Sequence, residues 1–303
     1  MPRKSSVPTV GKSYRTVAKH AAMDKQLGRE VSVDAVQGRT PYLFDLCAGD
    51  GQVAEGEEWK RHCSPGLVAW HLGYKPPPGR RWQYGSPEGV LIEKQLATYE
   101  RLLSTLAEEL PKLRYPGRGT PWRQVSDTSW VCIDTGAVLN AIHADSSTAE
   151  VYAVQGYHAA YVLQDPNAAT HWPMRRGFIA EIRQRTWWCL SMSTLGCNAN
   201  GHKAWTSRSI REGWLANVND VRGTLSRGHS LYLARIERDA HQWAYLFEVP
   251  AVWRTEIETD VAKAFGRTGL TVEGAWHDLQ REAFDGIMRR LVFTKPELEA
   301  DGT

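Results

Sequence analysis

Apolar and polar positions along this chain follow two rhythms. Short apolar runs end in an acid, a glycine or a proline, and longer stretches between them carry apolar residues three and four apart. The short runs fall at 41–47, 89–93, 130–134, 159–163 and 187–192, and each reads as a buried strand. The clearest helical stretch is 95–110, where Leu96, Tyr99, Leu102, Leu103, Leu106 and Leu110 share one face and Pro111 stops the run. Shorter helices are expected at 14–28, around 65–72, and at 137–142, 174–185 and 207–222. After that the rhythm changes. The runs 230–236 and 243–249 are separated only by Glu237-Arg238-Asp239-Ala240-His241-Gln242, which suits an antiparallel hairpin and leaves no room for a helical crossover. Helices at 253–265 and 278–291 close the chain.

Strand and helix thus alternate five times before the hairpin. That order implies a doubly wound α/β fold, a mostly parallel sheet with helices on both faces. The expected organisation is a basic N-terminal arm with a short helix (1–39), a central domain (40–250) with an insertion at 55–88, and a helical extension (251–303).

Composition adds little to this picture. A chain of 303 residues with 42% hydrophobic content can bury a full core, and a net charge of +3 permits a nucleic-acid partner without demanding one. The basic excess is local. Arg3, Lys4, Lys12, Arg15, Lys19, Lys25 and Arg29 in the first thirty residues face only Asp24 and Glu30. Two further basic loops, Lys75-Pro76-Pro77-Pro78-Gly79-Arg80-Arg81-Trp82 and the stretch 111–128 with Arg114, Arg118 and Arg123, have the composition of exposed loops. Five cysteines without a Cys-x-x-Cys read as reduced, buried thiols. His62, Cys63 and His71 lack the spacing of a metal site, so no metal is expected. No apolar stretch is long enough to cross a membrane and no signal peptide opens the chain, so the expected location is cytoplasmic.

The candidate chemistry begins at Tyr42-Leu43-Phe44-Asp45-Leu46-Cys47-Ala48-Gly49-Asp50-Gly51. Here an apolar strand meets an acid and then a small-residue turn. Gly49 and Gly51 can take positive φ and admit a ligand against the backbone, and such turns at strand ends bind nucleotide-like cofactors. Gly49-Asp50-Gly51-Gln52-Val53-Ala54 also fits the dinucleotide pattern, but the acid wanted about 20 residues on is missing.

The strand, acid and Gly-x-Gly turn resemble the first motif of class I S-adenosylmethionine (SAM) methyltransferases, and the resemblance covers roughly residues 40–250. It implies a seven-stranded Rossmann-like sheet whose last strand is inserted antiparallel, and SAM as the cofactor. Asp45, Ala48, Gly49 and Gly51 would then hold its methionine part. Glu93 would accept both ribose hydroxyls, and Asp134 the adenine amine.

Gln164-Asp165-Pro166-Asn167 stands where amino-methyltransferases of DNA bases carry an acid or amide, two prolines and an aromatic. In that family, side-chain and backbone oxygens accept from the exocyclic amine and an aromatic stacks on the flipped base. Asp165 and Pro166 match. Asn167 departs from the pattern, and His171 or Trp172 would supply the stacking surface. The nucleophilic cysteine of cytosine-C5 chemistry is absent.

The reading is a SAM-dependent methyltransferase acting on nucleic acid, DNA more readily than RNA, at an exocyclic amine. The alternative is a catalytically silent binding or accessory module of the same fold. Lys75, Arg80 and Arg81 are the expected phosphate contacts on the cofactor side, and the oligomeric state is open.

Overall fold

The computed structural model describes residues 14–53, 58–115, 122–146, 159–164, 188–197, 218–219, 221–225, 227–238 and 241–293. Among the described residues ten strands form one sheet: β1 Pro41–Asp45, β2 Glu88–Glu93, β3 Trp122–Ser126, β4 Ser129–Cys132, β5 Val138–His143, β6 Ala159–Gln164, β7 Trp188–Cys197, β8 His229–Arg238, β9 His241–Pro250 and β10 Thr271–Trp276. The helices used below are α1 Tyr14–Gln37, α2 Trp59–His62, α3 Ser64–Leu72, α4 Leu96–Glu109, α5 Arg254–Gly266 and α6 Arg281–Phe293.

The sheet order is β10-β8-β9-β7-β6-β1-β2-β5-β4-β3. Within it, β5-β2-β1-β6-β7 are parallel throughout, the 3-2-1-4-5 arrangement of a doubly wound sheet. A dinucleotide-binding fold would continue with a sixth parallel strand. Here β9 is inserted antiparallel to β7, and β8 pairs beyond it. The expected parallel core and closing hairpin are therefore present. Among the described residues the sheet has ten strands where seven were expected, because a β3–β4 hairpin extends one edge and β10 pairs antiparallel with β8 at the other.

Both faces are covered, which is why β1 is buried at every position. Leu43, Leu91, Leu139 and Leu163 face the side of α1, α3, α4 and α5. Phe44, Val90, Ile92 and Val162 face the side of α6, which contributes Phe284, Ile287 and Leu291. On α1, Met23, Leu27 and Val31 are fully buried and four residues apart, one apolar stripe against the core. The expected 14–28 helix is thus the first half of a 24-residue element. Its far end is tied to the sheet where Tyr161 Oη donates to Asp34, which Arg39 also contacts.

Three expectations change. Residues 137–142 are not a helix. They form the third parallel strand, β5, with Leu139 and Ala141 inward and the residues between them less buried. The run 130–134 is not that strand, because its residues up to Cys132 form β4, antiparallel to β5. The segment expected as an insertion holds α2 and α3, and α3 packs against β1 and β2 as the crossover between them. The helix expected at 174–185 lies outside the described residues, as does most of 207–222.

Candidate functional site

The site is built where β1 runs out between its two parallel neighbours. Leu46 N–H donates to Leu163 of β6 at 3.0 Å, and Ala48 N–H donates to Ile92 of β2 at 3.0 Å. The chain is thus held to both neighbours as it enters the turn. Gly49 (φ +65°) and Gly51 (φ +68°) both lie in the left-handed region, where residues with a Cβ are strained. A Cβ on Gly51 would also come within 3.2 Å of Leu102 Cδ1 on α4. Trp59 Nε1 donates to the Gly51 carbonyl at 2.8 Å, and Arg101 lies 3.5 Å from Asp50. The turn is packed from several sides.

Glu93, the last residue of β2, joins this turn to the next. Its Oε2 accepts from Gly49 N–H at 3.0 Å and its Oε1 from Gln95 N–H at 2.8 Å. A carboxylate has about four acceptor positions, so two backbone donors leave capacity for hydroxyls. Ala48 is 4% exposed and presents only a methyl group in this turn.

Asp45 is fully buried. Its Oδ1 accepts from Cys47 N–H at 3.2 Å, while Oδ2 has no hydrogen-bond partner among the described residues. Burial pushes its carboxyl up to about 6, against the pull of Ser64, the Cys47 N–H and the charge of Lys19. A buried carboxylate oxygen without a donor is costly. A ligand N–H at this point would remove that cost.

Of the other expected residues, Asp134 is not in the site. It lies in the turn from β4 to β5, where Gly136 N–H returns to Cys132 and Val138 N–H donates to Pro87, just before β2 begins. That is the amino-terminal edge of the parallel strands, opposite Glu93. The physical reason is direction, since an antiparallel strand ends where its parallel neighbour starts. The acid that follows β5 at the correct edge is Asp145, which pairs with Lys94 at 2.5 Å next to Glu93. Its signal in the sequence was the alternation of Val138-Leu139-Asn140-Ala141-Ile142 running on to Asp145.

The loop bearing Lys75, Arg80 and Arg81 is also at the amino edge, not on the side expected to hold a cofactor. After β1 the chain crosses the sheet through α3 and must return to the start of β2. The loop is tied there by Gln83 N–H to the Gly38 carbonyl at 2.8 Å and by Tyr84 N–H to Thr40 Oγ1 at 3.2 Å. Lys75, Arg80 and Arg81 are exposed, and the two arginines line an open cleft of about 650 Å³ with Gln37, Gly38 and Trp82.

Asp165, Pro166, Asn167, His171 and Trp172 lie outside the described residues. Sequence reasoning missed Lys19. Assigned to a basic arm, it is 6% exposed in α1, and burial pulls its ammonium down to about 7 against the pull of Asp45 and Cys47.

No family model and no curated protein matches this chain. Among solved structures, protein LPL1258 of Legionella pneumophila is 10% identical, with 88% of this chain and 97% of that one covered and a TM-score of 0.46. A Clostridium thermocellum protein whose name proposes an rRNA methylase is 7% identical, covering 74% and 97%, with a TM-score of 0.36. The N-terminal domain of EvdMO1, solved with SAH bound, is 9% identical, covering 75% and 80%, with a TM-score of 0.37. Each is a distant likeness. The doubly wound sheet with its inserted antiparallel strand is identified by this chain's own strand order and directions.

Proposed function

We propose that the protein is a SAM-dependent methyltransferase, with its cofactor seated at the carboxyl ends of β1 and β2. The observation that carries this reading is the buried Asp45 Oδ2, which has no donor among the described residues and stands beside a glycine turn whose Gly49 N–H is held by Glu93. The residues suit the ligand's chemistry. Asp45 would accept from the ammonium of the methionine part. Glu93 would accept from the ribose hydroxyls, and Gly49 and Gly51 would let the ligand approach the backbone. Asp145, in place of Asp134, would accept from the adenine amine. When bound, the cofactor supplies an electrophilic methyl group on sulfur.

The substrate we propose is an exocyclic amine of a nucleic-acid base, in DNA before RNA. Gln164 closes β6 at the same edge, beside β1, and the next residues in sequence are Asp165-Pro166-Asn167. An oxygen of Asp165 would accept from the amine and keep its lone pair available to the methyl group. Trp172 would stack on the extruded base.

The test has two parts. Calorimetry with SAM and SAH should show binding that Glu93→Ala weakens. A labelled-methyl assay on DNA, RNA and protein pools should put label into DNA, and Asp165→Ala should abolish it. No SAM binding at millimolar concentration would overturn the cofactor reading. Label in protein would overturn the substrate reading. SAM binding with no transfer to any pool would favour the accessory-module alternative.

A further inference from the structure

A base presented for methylation belongs to a strand, and the rest of that strand needs a surface. The loop bearing Lys75, Arg80 and Arg81 lies at the other edge and does not supply it. A different cleft adjoins the glycine turn. Trp59 of α2 donates from Nε1 to the Gly51 carbonyl at 2.8 Å, and the next residue, Lys60, holds its ammonium 4.4 Å from the centre of the Trp70 ring. Trp70 is also stacked on Tyr115 at 4.4 Å. So fixed, Trp70 lines an open cleft of about 590 Å³, together with Trp253 and a stripe of α1 through Asp24, Gly28 and Ser32. That volume is in the range of small-ligand sites.

Gly28 stands in the middle of a 24-residue helix, where glycine is unfavourable. Packing does not demand it. A Cβ there would meet only His71 Cε1, at an ordinary 3.5 Å. What the missing side chain does is leave room between the tryptophans. The nearby acids are already engaged. Asp24 Oδ1 lies 3.0 Å from His71 Nε2, and Asp260 pairs with Arg29, whose guanidinium lies 5.9 Å from the Trp253 ring centre. The groups left to meet a ligand are donors. Arg29 Nη1 is buried with no hydrogen-bond partner among the described residues. Lys25 lines the cleft and is exposed, and neither it nor Lys60 is within ion-pair distance of a carboxylate among the described residues.

We infer that this cleft takes an unpaired nucleotide of the substrate strand, next to the base being methylated, with Trp253 against its base and Lys25, Lys60 and Arg29 toward its phosphates. The inference rests on the nucleic-acid reading above. Cations interleaved with aromatic rings suit a single strand, whose bases have free faces to stack. A duplex keeps those faces covered.

The test follows binding of a fluorescein-labelled oligothymidine to the full chain by anisotropy, across a salt series. Gly28→Leu fills the cleft and replaces glycine with a better helix former, so thermal unfolding should show no loss of stability. Gly28→Leu and Trp253→Leu should each weaken binding about 5- to 150-fold, the range for one lost base stack. Trp253→Phe, which keeps a ring, should retain most of the affinity. Lys25→Gln with Lys60→Gln should lower the log–log salt slope by about 0.7 for each lost phosphate contact. SAH affinity should be the same in every variant. Wild-type affinity and slope in all of them would overturn the inference while leaving the substrate reading intact. Equal losses in Trp253→Leu and Trp253→Phe would overturn it too, since no stack would then be involved. Wild type that binds no nucleic acid would overturn the substrate reading and this inference with it.

Discussion

The carboxyl and amino edges of the parallel sheet hold charge in opposite ways. At the carboxyl edge, Asp45 is 0%, Lys19 6% and Glu93 9% exposed, and backbone N–H groups are aimed at both carboxylates. At the amino edge, Lys75, Arg80, Arg81 and Asp134 stand in solvent on turns. By composition, the second set looks more like a binding surface. Free energy favours the first. A solvated charge costs nothing to keep and interacts weakly through water, whereas a buried one is retained only against a desolvation penalty. The edge that holds costly groups in fixed geometry is the edge where the proposed cofactor would sit.

The largest effect should come from Glu93→Ala. It takes the acceptor from two backbone donors and, on the proposed reading, from the ribose. Leaving those two N–H groups unsatisfied should cost about 2–6 kcal/mol, read by denaturant unfolding, and cofactor affinity should fall more than tenfold. Asp134→Ala at the other edge should change neither. A matched loss in both variants would erase the contrast between the edges.

Asp45 gives a pH signature. Its folded pKa, about 6, lies above its ordinary value of 3.8. Between about pH 4 and 6 the folded protein therefore holds a proton that the unfolded chain has released, so stability falls as pH rises through that window. Across the window the Asp45 contribution is of order 3 kcal/mol. Asp45→Asn should flatten this part of the profile when unfolding free energies of the two proteins are compared from pH 4 to 7. A profile of unchanged slope in the variant would show that Asp45 is not desolvated in the free protein.

Two glycines sharpen the comparison at smaller scale. Gly51 (φ +68°) and Gly85 (φ +92°) both lie in the left-handed region. An added Cβ at Gly85 meets nothing within 4 Å, while at Gly51 it meets Leu102 and Thr105. Backbone strain alone should cost about 1–2 kcal/mol in Gly85→Ala, and Gly51→Ala should cost more and also weaken cofactor binding. Equal losses would mean that α4 yields and the turn is not tightly held.

The smallest effect is expected from neutralising Lys75, Arg80 and Arg81 together. SAM affinity should not change. A side chain that neutralises one phosphate contributes about 0.9 to the log–log salt slope of duplex DNA binding. Because the loop sits across the sheet from the site, the triple variant should shift that slope by less than this amount. A larger shift would show that nucleic acid reaches around to the amino edge.

The sequence by itself determined the elements whose causes are local. The apolar run into Asp45, the glycines after it and Glu93 at the end of the next run were legible because strand, acid and turn are neighbours along the chain. The closing hairpin was legible because its connection is too short for a helix. Tertiary structure alone decided which way a strand points and which edge a turn falls on. Trp130-Val131-Cys132 and Val138 to His143 are both acceptable strands in isolation. Only pairing with β2 makes the second parallel and the first its antiparallel neighbour, which puts Asp145 and not Asp134 at the edge that holds Glu93. Likewise nothing local distinguishes Lys19 from Lys12 or Lys25 as a basic residue. Its burial comes from the packing of α1 against α2, α3 and α5, contacts between segments far apart in sequence and invisible to any window along the chain.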